Sequence, residues 1–323
     1  MKLLNFRVVF TIFVAIVQAI LVALIWMRAR ERHNASYIQG IVVDVTPNLS
    51  QENLTKLEMA AERKSENEFS QILQGMYETS SPVPNATVTA KGDSVTKKTN
   101  TDSQGKFKFT GLPSGDYEIS AEVSSGARSK RMATVKPVKA YLRGSTLTAS
   151  VQVPVRSDLV TIRGRILDAA GNPIAGANVR GEPFPMPESA EVTPPTQFAV
   201  SGADGSYELN GFRPNSIYRI AGYLAGGDPT RDDAGGSNIP FYIQVHVEAD
   251  GFEQDKTKIP EIPLVTEELL GPARRLLDIL RKLEMQLKGT SELSEKKGVF
   301  LPPSEGNVIT GIDIVLTKQA AVR

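Results

Sequence analysis

Two distant stretches of this chain spell the same strand-and-turn pattern, and that repeat leaves few architectures open. YIQGIVVD from Tyr37 pairs with TIRGRILD from Thr161, setting Gly40 against Gly164 and Asp44 against Asp168. PVPNATV (Pro82–Val88) pairs with PIAGANV (Pro173–Val179). TDSQGKFKFTGLPSGDYEIS from Thr101 pairs with SGADGSYELNGFRPNSIYRI from Ser201, matching Gly105 with Gly205, Phe107 with Tyr207 and Gly111 with Gly211. Tyr117 matches Tyr218 after one inserted residue, and ASVQVPV near Val151 resembles GIDIVL near Ile312. KFKF and SYEL alternate polar and apolar residues as half-buried strands do, and YEIS and YRIA repeat the pattern. Asp204-Gly205 is a strong hairpin signal and Gln104-Gly105 a weaker one. Each copy therefore reads as a β-sandwich of short strands with frequent turns.

The second copy carries Gly164, Asp168, Gly171, Pro173, Gly176, Ala177 and Val179, then Asp204, Gly205, Tyr207 and Gly211. This pattern resembles the carboxypeptidase regulatory-like domain, a transthyretin-like sandwich similar also to Cna-B modules. The first copy keeps Gly40, Asp44, Pro82, Ala86, Val88, Gly105, Phe107, Gly111 and Tyr117, with Asn85 in place of Gly176 and Gln104 in place of Asp204. The resemblance implies two tandem, non-catalytic accessory modules on the extracytoplasmic side of a membrane. Its glycines and aspartates set turns; they carry out no reaction.

The expected fold is mainly β: two tandem Ig/transthyretin-like sandwiches with inserted helices, behind one transmembrane helix. The segments are an anchor with flanks over 1–33, a first sandwich over 34–156 and a second over 157–323. The first is interrupted over 46–80, where Ser50 is a candidate N-cap and Leu54, Leu57, Ala61, Phe69, Ile72, Leu73 and Met76 form a broken helical stripe. The second carries a loop insert over 225–240 and a helical insert over 265–298. In the latter, Leu269, Ala273, Leu276, Leu277, Leu280, Leu283 and Leu287 line one face, with Pro272 in the first turn and Gly289 past the end. Such helices either cover their own sandwiches or present an apolar face, here Leu269, Leu276, Leu280 and Leu283, to a partner.

VVFTIFVAIVQAILVALIWM, Val8–Met27, has no charge. Twenty helical residues span a hydrocarbon core of roughly 30 Å. A cleaved signal peptide has a shorter apolar core, and Arg28, Arg30 and Arg32 crowd this one's exit. Lys2 and Arg7 on the other flank leave the positive-inside rule near a tie, so the resemblance sets the orientation. Ala15, Ala19 and Ala23 recur every four residues beside Gln18, a stripe suited to helix–helix docking in the bilayer.

Composition closes off chemistries. Cysteine is absent, which removes disulfides, thiolate metal sites and cysteine nucleophiles. A net charge of +1 gives no global pull toward nucleic acid. Of the two histidines, His246 shares a strand face with Gln244 and Glu248 and has no second histidine near it for a zinc site. Asp228, Asp232 and Asp233 lie in a Gly-rich loop without EF-hand spacing. Arg128, Lys130, Arg131, Lys136, Lys139 and Arg143 run without an acid between them, forming a positive edge for anionic headgroups or an acidic partner. No cofactor or metal is expected. The expectation is a single-pass accessory or scaffold subunit, contacting the lipid bilayer and an integral-membrane complex and no nucleic acid. The alternatives are a glycan or cell-wall binding module, disfavoured because Trp26, the sole tryptophan, lies in the apolar span, and a hydrolase using a carboxylate pair.

Overall fold

A computed structural model describes residues 36–123, 132–134, 136–143, 148–184, 196–227 and 242–319. The chain divides into two compact units: residues 1–43, 82–124 and 137–153, and residues 44–81, 125–136 and 154–323.

In the first unit, strand Tyr37–Asp44 runs antiparallel to Lys106–Thr110 and also pairs with Thr148–Val155. The facing sheet sets Thr87–Gly92 between Thr96–Asn100 and Gly115–Val123, with Val138–Leu142 beyond. Alternation in KFKF does what the sequence predicts. Phe107 and Phe109 are buried and meet edge to face at 5.7 Å, while Lys106 and Lys108 face solvent. Each buried ring contributes on the order of 1.5–3 kcal/mol. Ile38, Val42, Val88, Ala90, Tyr117, Ile119 and Leu142 complete the interior.

The second unit contains the matching sandwich. Val160–Asp168 is antiparallel to Ser206–Phe212 and parallel to Ile314–Lys318. The opposite sheet runs in the order Gln197–Val200, Asn178–Phe184, Tyr242–Glu248, Glu261–Pro263. The repeat is visible at atomic detail. Gly40 faces Phe107 across strands, and Gly164 faces Tyr207. A Cβ on either glycine would overlap a backbone carbonyl, that of Val151 or of Ile312. Thr101 Oγ1 donates to Val83 O (2.7 Å) and accepts from Ala86 N (2.8 Å); Ser201 Oγ does the same with Ile174 O (2.7 Å) and Ala177 N (2.9 Å).

The repeat fails at one predicted strand. YRIA at Tyr218 is not a counterpart of YEIS but part of a helix, Ile217–Leu224. Ser216 caps it, accepting from Arg219 N at 3.3 Å, and Ile217, Ile220, Ala221 and Leu224 bury one face at helical spacing. Tyr242–Glu248 takes the strand's place beside Asn178–Phe184, as Gly115–Val123 does beside Thr87–Gly92.

The insert of the first copy also departs from expectation. It forms two helices, α1 (Gln51–Glu62) and α2 (Glu66–Tyr77), joined where Lys64 takes φ 56°. Ser50 is the N-cap, accepting from Asn53 N at 3.4 Å. These helices do not belong to the first unit. They pack in the second with Ile217–Leu224, here α3, and Glu267–Lys288, here α4. Leu54, Leu57, Ala60 and Phe69 share one buried cluster with Ile220, Leu269, Ala273 and Leu276. The expected division at 156/157 is replaced by one in which residues 44–81 fold with the C-terminal half. In α4, Gly289 ends the helix at φ 77°, as expected, but Pro272 falls in the second turn, since the helix starts at Glu267.

Candidate interaction surfaces

The apolar face of α4 is used internally. Leu269 is 5% and Leu276 0% exposed, and Leu280 and Leu283 are half-buried against the same four-helix cluster. Two cations on the polar flank of α4 tie it to α1. Lys282 Nζ lies 2.7 Å from Glu58 Oε1 and Arg275 Nη2 lies 3.3 Å from Glu58 Oε2, while Arg275 also reaches Thr55 (3.0 Å) and Gln51. Hydrogen bonds from Lys282 and then Arg275 hold the Glu58 carboxyl below the usual carboxylate range.

Two members of the described part of the basic run face carboxylates. Lys139 lies directly across from Glu118, and Arg143 bonds both carboxylate oxygens of Asp116 while covering the Tyr141 ring at 5.7 Å. Opposite charges facing each other across strands help hold the sheet together. A depression of about 510 Å³ on this sheet is lined by Lys91, Lys139, Asp93, Asp116 and Glu118, an excess of acids. Lys136 is exposed, in a segment grouped with the second unit. Arg128, Lys130 and Arg131 lie outside the described residues. So do Ala15, Gln18, Ala19 and Ala23 of the apolar segment, and Asp228, Asp232 and Asp233 of the acidic loop. Among the described residues no helix is long and apolar enough to cross a membrane, and no cluster of His, Asp and Glu suits a metal ion.

His246 shares its face with Gln244 and Glu248, as alternation predicts. The neighbouring strand places Asn178, Arg180 and Glu182 opposite these three. Glu182 takes Arg180 Nε at 3.0 Å and stands 3.4 Å from His246 Nε2. A cavity of about 600 Å³ opens over Asn178, Arg180, His246 and Glu248. Glu182 thus lies between the Arg180 guanidinium and the His246 ring on this face.

Sequence reasoning missed the edge of this sheet. Among the described residues, Gln197–Val200 pairs on one side only, with Asn178–Phe184. Phe198 is 74% and Val200 63% exposed, with Arg180 and Asn178 as their cross-strand neighbours. The corresponding outward positions of the first copy are Lys98 and Asn100. The signal was present. Ser201, like Thr101, points inward, so counting back by twos puts Ala199 inside and Phe198 and Val200 outside.

The family model for the carboxypeptidase regulatory-like domain matches residues 76–153, within the first copy and not the second, whose motif is fuller. Comparison with curated proteins finds no match. Solved structures with a similar course include the TIE protein of Bacillus anthracis (8% identity, TM-score 0.24, 88% of this chain and 34% of that one). A shaft pilin from Lactobacillus rhamnosus GG has 8% identity and a TM-score of 0.27, over 89% of this chain and 99% of the pilin. A chlorocatechol 1,2-dioxygenase from Pseudomonas putida has 17% identity and a TM-score of 0.26, over 50% of this chain and 60% of the enzyme. The chain thus spans about a third of the first of these proteins and nearly all of the pilin.

Proposed function

We propose that the protein is a non-catalytic accessory subunit, anchored through Val8–Met27 with its bulk outside the cytoplasm, that docks on an integral-membrane complex along the edge strand Gln197–Val200. The observation that carries this reading is the pair Phe198 and Val200, two exposed apolar side chains on the strand that ends its sheet among the described residues. Edges are normally blunted by charge, as Lys98 does at the matching place. An edge left apolar suits a partner that adds a strand or covers the side chains. The carboxypeptidase regulatory-like match supports a non-enzymatic module, and we infer the same module type for the second copy from its shared glycine, hydroxyl and turn positions. The anchor would raise the effective concentration of the edge beside its partner.

The test is purification from native membranes in mild detergent, with mass spectrometry of what co-purifies. We expect a stoichiometric membrane complex that survives Lys98→Glu, dissociates with Phe198→Glu/Val200→Glu, and weakens when Ala15, Ala19 and Ala23 become leucine. Recovery of the protein alone, or a complex indifferent to the Phe198 and Val200 changes, overturns the reading.

A further inference from the structure

The helical layer of the second unit contains a small cavity of about 110 Å³, lined among others by Tyr77, Arg156, Asp158, Arg213 and Asn215. Its floor is a built ion pair. Arg156 and Asp158 are 6% and 8% exposed, and the guanidinium donates to both carboxylate oxygens, Nε to Oδ1 at 2.7 Å and Nη2 to Oδ2 at 2.6 Å. That geometry is the bidentate fork that arginine makes with oxyanions. Arg213, whose side chain is exposed, lines the same cavity together with Arg219, and among the described residues Arg213 makes no ion pair. Burial, then the neighbouring Arg156 charge, lower its pKa from the ordinary arginine value. Arginine stays protonated regardless, so the cavity is lined by three guanidinium groups, those of Arg156, Arg213 and Arg219, and one carboxylate. Three guanidinium groups around one carboxylate leave a local excess of positive charge, and an oxyanion entering the cavity offsets it. Tyr77 and Asn215 add neutral polar groups to the wall.

The geometry points to a binding site for a small oxyanion of the phosphate or sulfate class, held between Arg156 and Arg213. The site does not rest on the end of α3. There, Ile217 N already donates to Tyr77 Oη at 2.9 Å and Arg219 N to Ser216 Oγ at 3.3 Å. It is also independent of the docking edge, which lies on the sandwich. The cavity exists only because residues of the first copy's insert, Pro47, Leu49 and Tyr77, close one side of it.

The experiment uses the full chain in detergent, in a buffer free of phosphate and sulfate, at ionic strength held constant with sodium chloride. Calorimetric titration with inorganic phosphate, and separately with sulfate, is run on the native chain and on Arg213→Gln. We expect saturable one-site binding by the native chain, weakened about tenfold or more in the variant, as loss of one charge-assisted pair predicts. Sulfate matching phosphate identifies a general oxyanion site, and phosphate alone a protonation-selective one; both support the proposal. Equal titrations of native and variant chains, or heats that chloride reproduces, overturn it. Should Arg213→Gln unfold, Arg213→Lys, which keeps the charge and loses the fork, serves the same comparison: undiminished affinity in it overturns the fork geometry.

Discussion

Tyr77 Oη accepts the backbone N–H of Ile217 at 2.9 Å, across 140 positions of sequence. The bond joins the last residue of α2, in the insert of the first copy, to the first residue of α3, in the second copy. It satisfies one of the donors that a helix start leaves orphaned. The interrupting segment of one sandwich is thus structural material for the other half of the chain.

A direct consequence concerns dissection. A fragment starting at Ser157, the boundary that the tandem repeat suggests, lacks Leu54, Leu57, Ala60, Phe69 and Met76, all buried in the helical cluster. It would expose their partners Leu276, Ala273 and Ile220. We expect this fragment to aggregate on expression. In the full chain, Leu57→Ala is expected to cost about 2–5 kcal/mol, because Leu57 is fully buried. Urea unfolding followed by circular dichroism checks both, and a soluble, cooperatively folding fragment would refute the dependence.

The parts of the fold legible in sequence are those fixed by local chemistry. The turn glycines, the Gly40/Gly164 close approaches and the alternation in KFKF and SYEL report directly on backbone geometry and face, so both sandwiches could be outlined. The destination of α1 and α2 was not legible. A helical stripe states that one face is apolar; it carries no information on which surface covers it, and here that surface lies more than 200 residues away at Leu276. The reading of YRIA as a strand failed for a related reason. A tyrosine and two apolar residues fit both periods, and the Ser216 cap decided for helix. The exposed edge was legible only by register from Ser201, because Phe-Ala-Val alone reads as a buried run.

Glu58 links α1 to α4 through Lys282 and Arg275, and its pKa is lowered by those hydrogen bonds. A carboxyl with a depressed folded pKa contributes stability that is present above its unfolded pKa and lost as pH falls through the folded value. Glu58→Gln should therefore lower the unfolding temperature at neutral pH, with the difference from the native chain shrinking under acid conditions. It should also shrink in high salt, since these groups remain partly exposed. A difference independent of both pH and salt would assign the effect to helix propensity instead.

Gly164 and Gly171 separate two uses of glycine. At Gly171, φ is +84° but nothing lies within 4 Å of an added Cβ, so Ala costs only the left-handed strain, about 1 kcal/mol. At Gly164 the Cβ would overlap the Ile312 carbonyl and press on the Tyr207 ring. Gly164→Ala must push the strand Ile314–Lys318 away and is expected to leave little folded protein, whereas Gly171→Ala folds with a small shift. Similar unfolding midpoints for the two variants would contradict the close-approach argument.

Tyr207 donates to Ile312 O at 2.8 Å beneath that same glycine, and burial, then the Asp313 charge, push its phenol well above the ordinary value near 10. The sign follows from proton binding. With the folded pKa raised, both states are protonated below about pH 10 and the term is constant there; above it the unfolded state ionises first, and stability falls as pH rises. Tyr207→Phe removes this alkaline penalty and the hydrogen bond together. Phe107 occupies the matching place in the first copy, so the ring alone is compatible with the site. The variant should be less stable than the native chain at neutral pH by about 1–3 kcal/mol, the cost of leaving a buried carbonyl unpaired. That gap should narrow in urea titrations above about pH 10, where the native phenol resists ionising. A gap that stays constant into the alkaline range would show that Tyr207 is not the group that sets the high-pH limit.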